Sequence, residues 1–207
     1  MDSTDAAGLI AELHEEKAEH EADERFRNKA ALLIAILAAI LAIAGLGGGN
    51  ATDDMIGSNI RASDTWAFYQ AKNIRQTMYE IAADDLQSMV AGAAPAQRAA
   101  AERRLSDYRA SIARYDDEPD PAAPGDPLKG EGKKQLSAQA KAHEEAFEIA
   151  SAKDNAFDLA EVALQLALVL GSVAILAINR WILLLSALLG LTGALLTLNG
   201  FFLLFAM

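Results

Sequence analysis

Hydrophobic and charged residues occupy separate blocks of this 207-residue chain. Residues 30–48, 162–179 and 181–207 carry no charged side chain, and the Lys, Arg, Asp and Glu residues lie before or between them. Because a charged side chain at the centre of a bilayer costs roughly 2.5–3.5 kcal/mol on insertion scales, such blocks are typical of membrane-spanning helices. The pattern predicts three transmembrane helices, at 30–48, 156–179 and 181–207.

The first predicted span is rich in small residues. At about 1.5 Å per residue, 30–48 is long enough to cross a hydrocarbon core of about 30 Å. Small residues recur along one stripe, where they allow a second helix to approach closely in lipid. The stripe consists of Ala31, Ala35, Ala38, Ala42, Gly45 and Gly49. The glycine-rich end of the span, GLGGG at 45–49, predicts a flexible exit from the helix.

The second predicted span is short when judged by apolarity alone. Residues 163–178 give only about 16 apolar residues, so the helix must begin near Leu159 to cross a bilayer. This start places Glu161 close to the interface and Gln165 one turn further in, on a face shared with Asp158. Polar groups inside a membrane often line ion pathways, so these three form a candidate polar membrane stripe. The alternative is that both carboxylates lie in interfacial water and that Gln165 bonds a neighbouring helix.

The third predicted span follows the second after a tight turn at Asn179–Arg180. Small and weakly polar residues recur on one stripe of this helix, as is typical of a packing face between membrane helices. The stripe consists of Ser186, Gly190, Gly193, Thr197 and Gly200.

Residues 49–155, between the first two spans, are charged and have helical periodicity. Apolar residues at steps of three, four or seven predict a long helix with one apolar face. This face consists of Ile56, Ile60, Ala67, Ala71, Ile74, Met78 and Ile81. Pro95 predicts the start of a second helix, and the remaining prolines predict a loop over 116–132. A heptad-like seam from Leu136 to Ala150 then runs into the second span without a breaker.

The lengths of the central helices favour an extended arrangement. Residues 50–93 would rise about 66 Å as one helix, and the returning segments 96–115 and 132–155 would rise about 30 and 36 Å. The predicted fold is therefore an all-α integral membrane protein with three transmembrane helices and an elongated extramembrane antiparallel helical hairpin or coiled coil. A compact three-helix bundle is the alternative for the central region.

The flanking charges predict an orientation. Arg25, Arg27 and Lys29 precede the first span, and Arg180 lies between the second and third, so residues 1–29 are expected to be cytoplasmic. The central domain and the C-terminus are then extracytoplasmic. The formal net charge of −11 argues against nucleic-acid binding and against recruitment to lipid by a polybasic segment. The absence of cysteine excludes thiol chemistry.

Candidate catalytic and metal-binding residues are sparse. Glu16, His20 and Glu24 share a helix face and carry ligand types that suit divalent cations. The alternative, which we favour, is a solvated helix stabilised by pairs such as Glu21–Arg25. Phosphate-binding loops, zinc-helix motifs and nucleophile elbows are not found in the sequence. We therefore expect no enzyme activity and no cofactor.

The most unusual segment is 62–72, which combines three aromatic residues with charges of both signs. It contains candidate interaction residues, or alternatively a helix start whose aromatic side chains pack internally. The candidates are Ser63, Asp64, Trp66, Phe68, Tyr69, Gln70 and Lys72. The pattern S-D-x-W-A-x-Y-Q-A-K, after a first span and a short linker, resembles the bacterial membrane-protein family DUF4337, a domain of unknown function. The resemblance implies a bacterial inner-membrane location and no assigned activity.

The sequence contains several predicted packing surfaces and no recognisable catalytic motif. This combination favours a non-enzymatic oligomeric membrane scaffold or an accessory subunit of a larger inner-membrane complex. Its expected partners are the lipid bilayer and either further copies of the chain or other membrane subunits. A homo-oligomer that conducts ions or solutes along the candidate polar stripe is the first alternative. An extracytoplasmic sensor without its own output domain is the second.

Overall fold

The computed structural model describes residues 3–90, 92 and 94–205, with side chains from Leu13 onward except Glu15. Within these ranges the chain forms four α-helices and no β-strand. Helix α1 spans Ser3–Val90, α2 Pro95–Asp116, α3 Lys133–Ala177 and α4 Arg180–Phe202. The outer ends of the predicted segments 1–29 and 181–207 lie outside the described residues.

Three of the helices contain segments that are long and apolar enough to cross a membrane, one each in α1, α3 and α4. The prediction of an all-helical chain with three apolar spans is confirmed to that extent. Helix α2 begins at Pro95, as predicted, because the missing N–H of proline is not needed in a first turn. Helix α3 runs unbroken from Lys133 to Ala177, as the uninterrupted seam predicted.

The predicted flexible exit at 45–49 is wrong, because helix α1 continues through this glycine-rich segment. A Cβ atom added at Gly47 would lie 2.5 Å from Cζ of Phe157, and one added at Gly48 would lie 3.3 Å from its Cβ. These two glycines therefore make room for a large side chain of α3. Close helix packing explains their presence better than backbone flexibility does.

The chain divides into two compact units, and unit 1 comprises the residues up to Thr52 and from Ala150 onward. Its core joins Leu37 and Ala44 of α1 to Phe157, Ala160 and Leu164 of α3. All five residues are almost completely buried. Leu189 and Leu196 of α4 are partly buried and pack against this core.

Helix α4 packs into unit 1 through its small-residue stripe, all five members of which are buried. The Oγ of Ser186 donates a 2.6 Å hydrogen bond to the carbonyl oxygen of Ala167 in α3. Asn179 caps the start of α4, where its Oδ1 accepts hydrogen bonds from the backbone N–H groups of Trp181 and Ile182. This capping side chain stabilises the first turn of α4, directly after Ile178, whose φ is +48°.

Unit 2 comprises residues 53–149 and places two helical segments along α1. The ring of Tyr79 lies 5.4 Å from that of Tyr108 in α2, measured between centroids. Nearer the start of unit 2, Trp66 Nε1 donates a 2.8 Å hydrogen bond to Glu144 Oε1 of α3. Lys133 Nζ at the beginning of α3 donates to Asn73 Oδ1 at 2.9 Å. Helices α2 and α3 therefore contact successive parts of α1.

A loop at 117–132 joins α2 to α3 and is held by short-range hydrogen bonds. A single β-bridge pairs Pro119 with Gly130, which has a φ of +116°. Asp120 and Asp126 each accept a hydrogen bond from the backbone N–H two residues further on. These side-chain turns order a proline-rich segment that contains no helix.

Candidate interaction surfaces

The face of α1 that packs inside unit 2 is made of small and polar residues. Buried and partly buried positions recur at steps of three, four or seven, as in a coiled-coil seam. They are Ser58, Ala62, Lys72, Gln76 and Ala83, with Tyr69 and Tyr79 partly buried between them. Hydrophobic periodicity does not identify this internal seam, because its residues are small or polar. Only their spacing indicates that they are buried.

Lys72 is the charged residue at the centre of this seam, and its side chain is only 5% exposed. Its Nζ lies 3.0 Å from Glu118 Oε2 and 3.5 Å from Glu131 Oε2. The ammonium group also lies 5.2 Å from the ring centroid of Phe68 and 5.9 Å from that of Tyr115. Two carboxylates and two aromatic faces replace the water that burial removes from the cation.

The loop holds Glu118 in place through Gln135, a buried residue in the first turn of α3. Gln135 Oε1 accepts a 3.2 Å hydrogen bond from the backbone N–H of Glu118, and its Nε2 donates to Asp117 Oδ1 at 2.7 Å. Lys134 Nζ lies 3.3 Å from Asp116 Oδ2 and 3.2 Å from Asp117 Oδ2. The hydrogen bonds from Gln135 and Lys134 lower the pKa of Asp117, and those to Asp117 and Asp116 raise the pKa of Lys134. The network thus favours the charged form of both groups.

The segment 62–72 is divided between the interior and the surface. Besides Lys72, Trp66 and Tyr69 face inward, with their rings edge to face at 5.4 Å. The exposed candidate interaction residues are Ser63, Asp64, Phe68 and Gln70. Internal packing therefore accounts for two of the three aromatic residues. The predicted interaction role remains a hypothesis for the four exposed residues.

The apolar face predicted for this part of α1 exists, but it is exposed. Ile56, Ile60, Ile74, Met78 and Ile81 have between 51% and 64% of their surface accessible. Ala67 and Ala71 between them are also exposed. At 3.6 residues per turn, this exposed face lies opposite the internal seam. We call the seven residues the apolar stripe of α1.

A cavity of about 420 Å³ lies between α1 and α2 in unit 2. Three tyrosine rings, Tyr79, Tyr108 and Tyr115, line it together with Arg75 and Met78. Close by in the sequence, Gln76 Oε1 is buried and has no hydrogen-bond partner among the described residues. The cavity offers aromatic faces, hydroxyl groups and one guanidinium group to a small ligand.

The three residues of the candidate polar membrane stripe have different environments in unit 1. Glu161 is partly buried, and its Oε1 would lie 3.5 Å from a Cβ added at either Gly45 or Gly48 of α1. Asp158 and Gln165 are exposed on the outer surface of α3. The structure therefore gives Glu161 a packing position that the other two lack.

The predicted metal candidates Glu16, His20 and Glu24 are exposed on the N-terminal part of α1. Among the described residues no group of three His, Asp or Glu side chains is arranged to hold a metal ion. The ion pair expected between Glu21 and Arg25 is present, with Arg25 Nη2 3.1 Å from Glu21 Oε2. The geometry accords with a solvated helix face.

Comparison with known proteins gives one match. A family model described as "Domain of unknown function (DUF4337)" matches residues 26–203. The matched range includes segment 62–72, all three apolar spans and the whole of unit 2. No curated protein and no solved structure matches the chain.

Proposed function

We propose that this chain, which belongs to the DUF4337 family, is a non-enzymatic membrane scaffold or accessory subunit that self-associates through α1. The observation that carries the proposal is the exposed apolar stripe. An apolar helix face normally packs on the interior of its own unit, whereas here small and polar residues occupy that position. The most hydrophobic face of the helix remains available for another molecule.

A second copy of the chain is the occupant that we propose for this surface. Ile60, Ala67, Ile74 and Ile81 are spaced by seven residues, the repeat with which like helices pair in coiled coils. Burying one large aliphatic side chain contributes about 1.5–3 kcal/mol, so four isoleucines and a methionine on each copy could support a stable contact. A symmetric pair would place the same stripe on both sides of the interface.

The membrane-spanning part of α1 has a second surface suited to self-association. The small residues Ala31, Ala35, Ala38 and Ala42 are exposed, while Leu37 and Ala44 make the contacts within unit 1. Small exposed residues allow another helix to approach closely in lipid.

The proposed location is the bacterial inner membrane, with three transmembrane helices. The basic residues Arg25, Arg27, Lys29 and Arg180 favour a cytoplasmic N-terminus. Unit 2 would then be an extracytoplasmic antiparallel helical hairpin, and the C-terminus would be extracytoplasmic. Attaching a cysteine-reactive, membrane-impermeant label at Gly125→Cys tests this orientation, because only an extracytoplasmic loop would be labelled in intact cells.

The self-association proposal can be tested with charge-matched variants. Ile60→Lys/Ile74→Lys adds two charges to the apolar stripe, whereas Asn59→Lys/Thr77→Lys adds two charges at exposed polar positions beside it. We expect the stripe variant to weaken self-association by about tenfold or more, because the introduced ammonium groups must be desolvated in the contact. The control should remain within about twofold of the unmodified chain.

Mass measurement by native mass spectrometry and light scattering in mild detergent provides the readout. An unmodified chain that stays monomeric at all concentrations and retains no partner would contradict the proposal. Equal losses in the two double variants would show that added charge, and not the apolar stripe, controls association. Circular dichroism would verify that both variants keep their helical content.

A homo-oligomer that conducts ions is the second candidate, and Glu161 is the residue that favours it. Its carboxylate lies next to the glycine-rich part of α1, inside unit 1. Glu161→Gln should then reduce ion flux into vesicles that contain the purified chain, with exposed Asp158→Asn as the control. The sensor hypothesis would instead use the tyrosine-lined cavity of unit 2.

A further inference from the structure

A cavity of about 550 Å³ lies in unit 1 where the N-terminal part of α1 meets the first residue of α4. Three basic side chains line it: Arg25 and Lys29 from α1 and Arg180 from α4. Glu21 is the one carboxylate among the described lining residues, and the ring of Phe26 forms part of the wall. This cavity, which we call the basic pocket, is locally positive in a chain with a formal net charge of −11.

Only one of the three basic side chains of the pocket is paired with a carboxylate among the described residues. Arg25 Nη2 lies 3.1 Å from Glu21 Oε2. In the part of the chain that the structure describes, neither Lys29 nor Arg180 has a carboxylate within 4.0 Å. Both side chains are exposed. Two cations from different helices are therefore available to a small anion.

The pocket lies at the boundary between polar and apolar surface. Lys29 directly precedes the uncharged segment 30–48, and Arg180 directly precedes Trp181, whose side chain is largely exposed. Exposed tryptophan next to a basic residue is typical of the level of lipid headgroups. Leu32 and Leu184 are exposed beyond that level and offer apolar surface to acyl chains.

We propose that the basic pocket binds the phosphate group of an anionic phospholipid. Lys29 and Arg180 would contact the phosphate oxygens from two helices, and Phe26 would cover one side of the headgroup. The net charge of the chain argues against attraction to membranes through a polybasic segment. A local pocket of three basic residues can bind one phosphate group without such attraction. The inference requires insertion in a bilayer and does not require self-association, so each proposal can fail without the other.

Native mass spectrometry of the full-length chain in detergent can test the pocket. The purified protein would be titrated with phosphatidylglycerol, with phosphatidylcholine of the same acyl chains, and with inorganic phosphate. Lys29→Gln/Arg180→Gln removes two charges from the pocket. The matched control, Lys17→Gln/Arg27→Gln, removes two exposed charges of α1 that do not line it.

We expect phosphatidylglycerol to bind in preference to phosphatidylcholine and the pocket variant to lose about tenfold or more in affinity. The control should change by less than about twofold. Equal losses in both variants would overturn the proposal, since they would indicate general attraction to positive charge. Equal binding of the two lipids would also overturn it. Displacement of the lipid by an equal concentration of inorganic phosphate would exclude a lipid site, because acyl chains would then add nothing.

Discussion

Lys72 Nζ and Glu118 Oε2 lie 3.0 Å apart, and they join the middle of α1 to the loop that follows α2. The two partners differ in exposure, since the Lys72 side chain is 5% exposed and that of Glu118 is 34% exposed. Removing either one therefore has a different consequence. Without Lys72 the carboxylate of Glu118 can still reach water, whereas without Glu118 the buried ammonium of Lys72 keeps only the carboxylate of Glu131, at 3.5 Å.

Glu118→Gln is expected to destabilise the chain more than Lys72→Met does. The first change leaves a buried cation with only the more distant carboxylate of Glu131, at a cost of about 2 kcal/mol. The second removes the buried charge and keeps the apolar length of the side chain, at a cost of about 1 kcal/mol or less. Thermal unfolding of both variants in detergent measures which of them is less stable. A larger loss of stability for Lys72→Met would show that the ion pair itself contributes more than the burial of an incompletely paired cation costs.

Gly130→Ala is expected to disrupt the 117–132 loop. The backbone φ of +116° at Gly130 is unfavourable for other residues, and an added Cβ would lie 2.8 Å from the Cα of Pro119. We expect a loss of about 2 kcal/mol or more, together with faster proteolysis of the loop. Gly125→Ala is the control in the same loop, since a Cβ there meets open space. Similar proteolysis of both variants would contradict the assigned role of Gly130.

Gly193→Ala is expected to weaken the packing of α4 in unit 1. An added Cβ would lie 2.6 Å from Cγ of Leu164 and 3.1 Å from the carbonyl oxygen of Ala160. Overpacking of this kind costs about 1–3 kcal/mol, which exceeds the gain of about 1 kcal/mol from replacing a helical glycine. Gly57→Ala adds a Cβ in open space and should be neutral or stabilising. Comparing the two unfolding temperatures checks both expectations.

Acidification should release the contact between Asp117 and Gln135. The pKa of Asp117 is lowered in the folded chain, so its contribution is present above the ordinary value of 3.8 and is lost as the pH falls through the lowered value. The pKa of Lys134 is raised in the folded chain. Its contribution to stability is therefore present below the ordinary value of 10.5 and is lost as the pH rises through the raised value. Unfolding temperatures measured from pH 7 down to well below 3.8 should therefore fall less steeply for Asp117→Asn than for the unmodified chain. Parallel curves would contradict the assignment.

Much of the helical framework could be predicted from the sequence, because apolarity, proline and small-residue spacing act locally. The start of α2 at Pro95 and the small-residue stripe of α4 are examples. The internal face of α1 could not be predicted from hydrophobicity, because many of the residues buried there are small or polar. They fit the narrow space between the helices, and only their spacing indicates that they are buried. Lys72 shows why, since its partner Glu118 lies 46 residues away in a loop without regular structure.

The same limit applies to the first span. Its stripe of small residues was identifiable from the sequence, but Leu37, Ala44 and Ala51 make the internal contacts instead. These residues are spaced by seven, and nothing in their types separates them from their neighbours. The shapes of α3 and α4 determine which of the two suitable faces of α1 packs internally. The sequence of α1 alone therefore cannot predict this face.

Phe157 occupies a space that three helices define together. Its ring lies 4.9 Å from that of Phe201, and an added Cβ at Gly47 or Gly200 would approach it to 2.5 or 2.7 Å. The side chains of the three helices therefore share one volume, so a larger side chain at one position requires a smaller side chain at another. Among relatives of this chain, positions 47, 157 and 200 should consequently vary as a correlated set. A relative with a small residue at 157 could carry larger residues at the two glycine positions, whereas one with an aromatic residue there could not.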